Sequence, residues 1–402
     1  MKKYDWSNCK NILCIRPDNM GDVLMTQPAM RALKKSLPGR KITLLTSMMG
    51  AEIAQKLPEV DDIMVFDVPW IRTKAEDNDS EAIHELVSKL KTRNFDAAAV
   101  FTNYSQSALP TAMVCYLAEI PQVLAYSREN PYKLINNWMP DHEPFSFPVH
   151  GVQRQLDLVA ATGACSPDKK LHLEVSKDTE EAALQKLKSE GLDPESPWLI
   201  MHPGVSEDKR KYPVELYGQA AKLLAAEGYQ ILITALECEK DLAKGVRRTA
   251  GDSTFNLAGK LSLDDFIALI NLAPVIISNN TASVHVAAAT GTPVVDLYAR
   301  TNPEHTPWMV ENRVFYFDVP RSIQSKNTTL VHTTPHNKMP SPGPRDIAVA
   351  VKELIEGVPL EKSDIPIEMM NWSNGKSNGT HTYLQQERRF SSNAYVPLLS
   401  EL

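Results

Sequence analysis

Twice along this 402-residue chain, short uninterrupted apolar runs alternate with stretches whose apolar residues recur at helical spacing. A strand that is apolar at successive positions has no face to give to water, so it must be covered on both sides. That is the condition of a parallel sheet layered between helices. The first half offers such strands at 12–15 (ILCI), 41–46 (KITLLT), 63–66 and 97–101, with helices from 23 and over 51–57, 81–92, about 106–118 and 149–162. After a crossover at 166–175, the second half resumes with helix 178–190, strand 198–201, helix 213–227, strand 230–234 and helices 239–249 and 263–272. Strand 275–278, helix 282–290 and strand 293–297 complete it. Two such series predict two doubly wound α/β domains, residues 1–170 and 171–357, with a ligand cleft between them.

Composition sets the outer bounds. A chain this long has ample core for two domains, and 43% hydrophobic with 23% charged residues is the balance of an ordinary soluble globular protein. The net charge of −6 argues against a general nucleic-acid binder. The first fifty residues are nonetheless basic, with Lys2, Lys3, Lys10, Arg16, Arg31, Lys34, Lys35, Arg40 and Lys41 against Asp5, Asp18 and Asp22. Such a face suits an anionic lipid-linked saccharide at a membrane surface, or is merely solvated. Cys9, Cys14, Cys115, Cys165 and Cys238 are scattered with no CxxC pair, which predicts reduced thiols in a cytosolic protein. The N-terminus lacks a signal-peptide core and no stretch approaches 18 apolar residues, so any meeting with a membrane is expected to be peripheral.

Three loops carry chemistry. In the first, the strand at 12–15 breaks into Arg16-Pro17-Asp18-Asn19 and ends on Gly21-Asp22 at a helix start. The carboxyl end of a strand is where open α/β sheets place their ligands. Asp22 is therefore either a helix N-cap or a chemical centre. With one glycine and no GxGxxG, the turn does not suit a dinucleotide.

The second loop runs from His202-Pro203-Gly204 through Lys209-Arg210-Lys211 to Tyr212-Pro213. Cations beside exposed N–H groups at a helix start suit a diphosphate; three cations can equally be a solvated face. The third, Ser278-Asn279-Asn280-Thr281-Ala282-Ser283, delivers small hydrogen-bonding side chains to another helix start, suited to phosphate or sugar hydroxyls. His285 follows one turn in, either packed in the core or facing the site.

Other segments say less. Residues 126–148 are aromatic and proline-rich and read as a long insertion without regular structure, with 128–132 (RENPY) as a candidate acceptor-side loop. Residues 77–79 (DND) imitate a DxD metal site, but no apolar strand precedes them, so no metal is expected there. Beyond 298 prolines mark a loop-rich stretch, a helix is expected at 346–355, and residues 358–402 read as a disordered tail.

From about residue 10 to 298 the chain resembles glycosyltransferase family nine, the ADP-heptose:lipopolysaccharide heptosyltransferases. Gly21-Asp22 matches the family's first loop, His202-Pro203-Gly204 and Arg210-Lys211-Tyr212-Pro213 match its HPG-to-Lys-Arg-Trp-Pro segment, and residues 279–289 match its Asn-Asp-Ser/Thr-Gly-x-x-His-x-Ala-Ala-Ala segment. The resemblance implies a GT-B fold of two Rossmann-like domains, the acceptor on the first and the nucleotide donor on the second, with no cofactor and no catalytic metal. It implies that Asp22 is the general base of an inverting transfer, that Arg210 binds donor phosphate, and that Glu239, with one residue of latitude, binds the ribose. His202, Gly204, Lys209, Lys211, Asn280, Thr281, Ala282 and His285 would complete the donor side. Arg16, Asn19, Gly21 and Arg128 would face the acceptor.

The implied partners are a nucleoside-diphosphate sugar, with ADP-heptose first among donors, and a lipopolysaccharide core or other cell-surface glycan. The implied location is the cytoplasm, peripherally at the inner membrane. Two departures bear on the donor: Asn280 stands for the family's Asp and Ala282 for its Gly, which points to a sugar that differs from heptose. A binding protein without turnover, or a nucleotide-sugar epimerase, is the alternative; the intact Asp22 and basic loop favour transfer.

Overall fold

The computed structural model describes residues 3–71, 80–143, 149–299, 304–317 and 341–359. The chain divides into two compact units, Met1–Leu173 and Glu174–Leu402. In the first, strands β1 (Asn11–Arg16), β2 (Lys41–Thr46), β3 (Asp62–Val65), β4 (Ala97–Val100), β5 (Val123–Ser127) and β6 (Asn137–Pro140) alternate with helices α1 (Met20–Lys35), α2 (Met48–Ala54), α3 (Ser80–Thr92) and α4 (Leu109–Leu117). Helix α5 (Gly151–Ala160) follows. The strand order is β3-β2-β1-β4-β5-β6, every pairing is parallel, and β1 registers Ile12 with Ile42 on one side and with Ala97 on the other. The order reverses at β1, which makes the β1/β4 boundary the switch point where such sheets open a ligand crevice.

The second unit repeats the plan. Helix α6 (Lys177–Ser189) leads into β7 (Trp198–His202), α7 (Val214–Ala226), β8 (Gln230–Ile233), α8 (Lys240–Ala250), β9 (Thr254–Asn256) and α9 (Leu263–Leu272). Then come β10 (Ile276–Asn279), α10 (Ala282–Thr290), β11 (Val294–Ala299), β12 (Asn312–Phe317) and α11 (Pro344–Ile355). The order is β12-β11-β10-β7-β8-β9, again all parallel. Leu199, Ile277, Val295 and Leu297 pack under Tyr217, Ala221 and Ile347 in one buried cluster.

The structure corrects the sequence expectations at several points. Residues 126–148 are not an irregular insertion: β5 ends at Ser127 and β6 adds an edge strand inside the stretch. Its closing Pro140 is tolerable because an edge needs no further N–H. The order does not fade beyond 298, since β12 (NRVFYF) completes the second sheet between proline-rich flanks. Helix α1 starts at Met20, so the N-cap position belongs to Asn19 and Asp22 lies in the first turn. The DND at 77–79, the tail beyond 359 and most of the proline-rich stretch lie outside the described residues.

One buried carboxyl group is out of place for a sheet interior. Asp296, in the middle of β11, is fully buried and neither carboxylate oxygen has a hydrogen-bond partner among the described residues. Burial pushes its pKa well above the carboxylate range. A carboxyl whose folded pKa exceeds its unfolded value costs nothing below the unfolded pKa and costs progressively more as pH rises above it. Asp296→Val should therefore stabilise the second unit by about 1 to 3 kcal/mol at pH 7.5 and by less at pH 4.5. Urea titrations at the two pH values check this; an equal gain at both would mean that ionisation is not the cost.

Candidate functional site

In the first unit the site begins with Arg16, the last residue of β1. Its side chain is 2% exposed and lies 2.7 Å from Asp22 Oδ1 through Nη2 and 3.1 Å from Asp18 Oδ2 through Nε. Asp22, 15% exposed, sits in the first turn of α1, where the helix dipole favours its charge. Hydroxyls hold the loop backbone: Thr46 Oγ1 donates to the Arg16 carbonyl at 2.8 Å and Ser47 Oγ to that of Asp18 at 2.6 Å. Ser47 also caps α2 by accepting from Gly50 N. A Cβ at Gly50 would come within 2.1 Å of Thr46 Oγ1 and 3.3 Å of the Asp18 carbonyl, so this position requires glycine. Asn19 places its carbonyl under the Asp22 and Val23 amides, and Gly21 is buried beside it.

Arg128 belongs to a second cluster at the same end of the sheet. Its Nε donates to the Glu143 carbonyl at 2.9 Å and its Nη2 donates to the Tyr104 carbonyl. Behind it, buried Arg154 reaches Glu143 Oε2 at 2.5 Å and Asp141 Oδ2 at 3.0 Å, and stacks over Tyr126 at 4.3 Å. Burial raises the pKa of Glu143, with Arg154 opposing. Arg154 gave no sign in the sequence because it lies on the inner face of α5.

In the second unit the site lies where β7 and β10 end. The register aligns His202 with Ser278 and Ser278 with Asp296, putting the three on one face. The His202 ring packs on Phe266 at 5.2 Å and its Nδ1 lies 3.0 Å from Thr234 Oγ1. Burial pulls its pKa down to about 4, against the opposing charge of Glu239. It is thus a neutral imidazole near pH 7 and offers hydrogen bonds in place of a positive charge.

Glu239 staples two loops: Oε1 accepts from Val205 N at 2.8 Å and Oε2 from Leu236 N at 2.9 Å. A Cβ at Gly204 would lie 2.4 Å from Oε2, so glycine is what admits the carboxylate.

The basic run lies just ahead of the N-terminus of α7, whose N-cap is Pro213. Lys209 and Arg210 lie on a single 3-10 turn, Asp208–Arg210, ahead of α7. Both reach Glu207, at 2.6 and 3.3 Å, and Lys211 lies 3.5 Å from Asp208. Arg210 Nη1 also donates to the Asn280 carbonyl at 3.4 Å. Tyr212 then turns inward, fully buried, its hydroxyl donating to the Pro342 carbonyl at 2.5 Å.

Asn279 joins these loops. Its Oδ1 accepts from Tyr212 N at 3.2 Å and its Nδ2 donates to the Pro203 carbonyl at 2.8 Å. The next residue is its opposite: Asn280 is buried, yet both of its amide atoms, like Arg210 Nε, lack a hydrogen-bond partner among the described residues. Such groups are rare in folded proteins because each costs its lost hydration. Around them Thr281 and Ser283 hydroxyls lie 2.8 Å apart, and Ser283 reaches Ser278 at 2.6 Å. Ala282 opens α10, and buried His285 meets the His305 ring edge-on at 6.2 Å.

Residues 83–334 match glycosyltransferase family 9 (heptosyltransferase). The chain belongs to this family. It is 27% identical over 311 residues to lipopolysaccharide heptosyltransferase 2 of Escherichia coli K12, covering 74% of this chain and 84% of that one. It is 24% identical over 313 residues to lipooligosaccharide heptosyltransferase 2 of Haemophilus influenzae, covering 74% and 85%. Among solved structures, a family 9 glycosyltransferase from Veillonella parvula superposes with a TM-score of 0.71 at 18% identity, over 88% of this chain and 98% of that one. E. coli ADP-heptose heptosyltransferase II superposes with 0.66 at 22%, over 86% and 99%. The two parallel-sheet units are those of the family's GT-B fold.

Within this glycosyltransferase, the expected site residues fall at the carboxyl edges of the two sheets; sequence reasoning missed two of their supports, Arg154 and Gln106, whose Nε2 donates to Asp18 Oδ1 at 2.5 Å, and named Asn279 only as part of the third loop. Asn279 could have been suspected, since an asparagine ending an apolar strand must spend its amide somewhere. Asn279→Ala leaves Tyr212 N–H and the Pro203 carbonyl without that partner, so it should destabilise the unit by about 2 kcal/mol and weaken ADP binding. Urea unfolding and calorimetry with ADP measure both; full ADP affinity would show that the two loops keep their places without it.

Proposed function

We propose that this enzyme transfers heptose or a related sugar, with inversion, from a nucleoside-diphosphate sugar such as ADP-heptose to a lipopolysaccharide core or similar lipid-linked glycan. The observation that carries the reading is the buried polar set of Arg210 Nε and the Asn280 amide, without hydrogen-bond partners and flanked by Lys209 and Lys211. It has the character of a recess for an anionic, hydroxyl-bearing ligand. The names of the relatives support the substrate class, and an E. coli heptosyltransferase has been solved with ADP.

The chemistry follows from the residues. Asp22, oriented by Arg16, accepts the proton of the acceptor hydroxyl while that oxygen attacks the sugar carbon opposite the diphosphate. The carbon–oxygen bond to phosphate breaks and the nucleoside diphosphate departs with the electron pair. Its charge is met by Lys209, Arg210, Lys211 and the N-terminus of α10, so this reading calls for no divalent cation.

Glu239 keeps unused lone pairs for ribose hydroxyls while holding the loops. Gly204, His202, Thr281, Ala282 and His285 line the donor side. Asn19, Gly21 and Arg128 serve the acceptor side, and buried Arg16 acts on Asp22. Asn280, neutral and able both to donate and to accept, offers the hydroxyls of the donor sugar a contact different from that of the family's carboxylate. No helix among the described residues is long and apolar enough to cross a membrane; of the basic residues among the first fifty, Arg16, Arg31 and Arg40 are buried and paired internally, so peripheral contact with an anionic surface would fall to exposed lysines such as Lys3, Lys10, Lys35 and Lys41.

Two variants test this. Asp22→Asn keeps an oxygen for Arg16 but cannot take a proton, so turnover should fall roughly 10²- to 10⁴-fold with donor affinity unchanged. Near-normal transfer by a variant that melts and binds donor normally would end the base assignment. Arg210→Ala should cost about 1 to 3 kcal/mol in ADP binding and little in adenosine binding. Equal losses for both ligands would mean that Arg210 supports the loop without touching phosphate.

A further inference from the structure

We propose that Asp18 is a positioning residue that shares the Arg16 cation with Asp22 and couples the pair, through Gln106, to the loop between β4 and α4. The inference rests on the reading of Asp22 as the base.

Arg16 presents one buried guanidinium to two carboxylates, Asp18 at 3.1 Å and Asp22 at 2.7 Å. A carboxylate that holds a buried guanidinium to itself is strongly favoured in its ionised form and takes up a proton poorly. Sharing the cation with Asp18 relaxes that hold while keeping Asp22 aimed. Both Asp18 carboxylate oxygens face protein groups, Oδ2 the Arg16 guanidinium and Oδ1 the Gln106 amide, so it acts through its neighbour.

The other Asp18 oxygen accepts from Gln106 Nε2 at 2.5 Å, and Gln106 Oε1 in turn accepts from Asn103 N at 3.1 Å. Gln106 thereby fixes the loop after β4, which α4 leaves free by starting at Leu109. The same loop offers the Tyr104 carbonyl to Arg128. The Asp18 carbonyl is clamped by Ser47. A continuous set of direct contacts thus runs from the acceptor-side Arg128 through the β4–α4 loop and Asp18 to Arg16 and Asp22. Occupation of the acceptor side is felt at the base through a buried charge pair.

The test separates charge from tether. Asp18→Asn keeps an oxygen for Gln106 but removes the charge that shares Arg16; Gln106→Ala keeps the charge and cuts the tether. With ADP-heptose as donor and heptose-deficient lipopolysaccharide as acceptor, Asp18→Asn should lower kcat about tenfold, a part of what a general base contributes, with donor KM within about twofold. Gln106→Ala should lower kcat less and raise acceptor KM, and the double variant should be less impaired than the product of the two effects. Wild-type kcat in Asp18→Asn, or strictly multiplicative effects, would overturn the proposal. If Asp18→Asn does not fold, unchanged kcat and acceptor KM in Gln106→Ala overturn it alone. Asp22→Asn measured alongside tells the two failures apart: if it is inactive while Asp18→Asn is normal, only the positioning role falls.

Discussion

A parallel sheet covered on both faces has one place for polar chemistry, the carboxyl ends of its strands. Both units of this enzyme obey that constraint. β1 is buried from Ile12 to Arg16 and turns polar as it leaves the sheet. β10 does the same at Ser278 and Asn279. Even so, the polar groups at these ends are themselves buried, so each must find a partner or a purpose. Arg16 finds two carboxylates, Asn279 finds two loops, and Asn280 finds neither. The site is therefore defined as much by what the fold leaves unpaired as by what it pairs.

Glycine marks where these ends crowd. Gly50 lets α2 press against the loop that carries Asp18, and Gly204 lets the Glu239 carboxylate lie against the loop that follows β7. Neither is there for an unusual backbone angle. In both cases a methyl group would occupy the space of a group that is already hydrogen-bonded: the Thr46 hydroxyl, to the Arg16 carbonyl, in one, and the Glu239 carboxylate, each oxygen to one amide, in the other. Close approach of two loops is the common cause, and a larger residue would separate them by displacing the bonded group.

The sequence was most informative where periodicity was unbroken. Helices 263–272 and 282–290 were placed to the residue, because Ser262 and Thr281 stand at their N-cap positions and mostly apolar residues follow. Four strands went unforeseen, β5 inside the first sheet and β6, β9 and β12 at sheet edges, although the edge strand β3 was placed; β9 has three residues and β6 ends in proline, so neither carries enough alternation to be seen beside a turn. The site was legible in residue type and not in connection. Asp22, His202 and Arg210 could be named from their loops, but nothing local ties Asp18 to Gln106, 88 positions on, or Asn279 to Tyr212, 67 positions back. Those contacts exist because strands distant in sequence are neighbours in the sheet.

The electrostatics of the donor loop follow from the same crowding. Three successive cations suggest a strong positive field, yet Glu207 takes Lys209 and Arg210, and Asp208 takes Lys211. The carboxylates offset two of the three charges, and His202 adds none, since burial keeps its ring neutral at ordinary pH. A diphosphate arriving here would gain less from long-range attraction than from exchanging Glu207 for phosphate oxygens on the same guanidinium and ammonium. Exchange of this kind favours a ligand whose geometry fits the fork of Arg210 over any anion of equal charge. It also weakens the hold on a bare phosphate, which can replace one carboxylate but not reach the Asn280 amide and the ribose-side Glu239 at once. On the proposed donor reading, selectivity for a nucleoside diphosphate would arise from partly neutralised cations, where a fully exposed basic patch would bind anions without distinction.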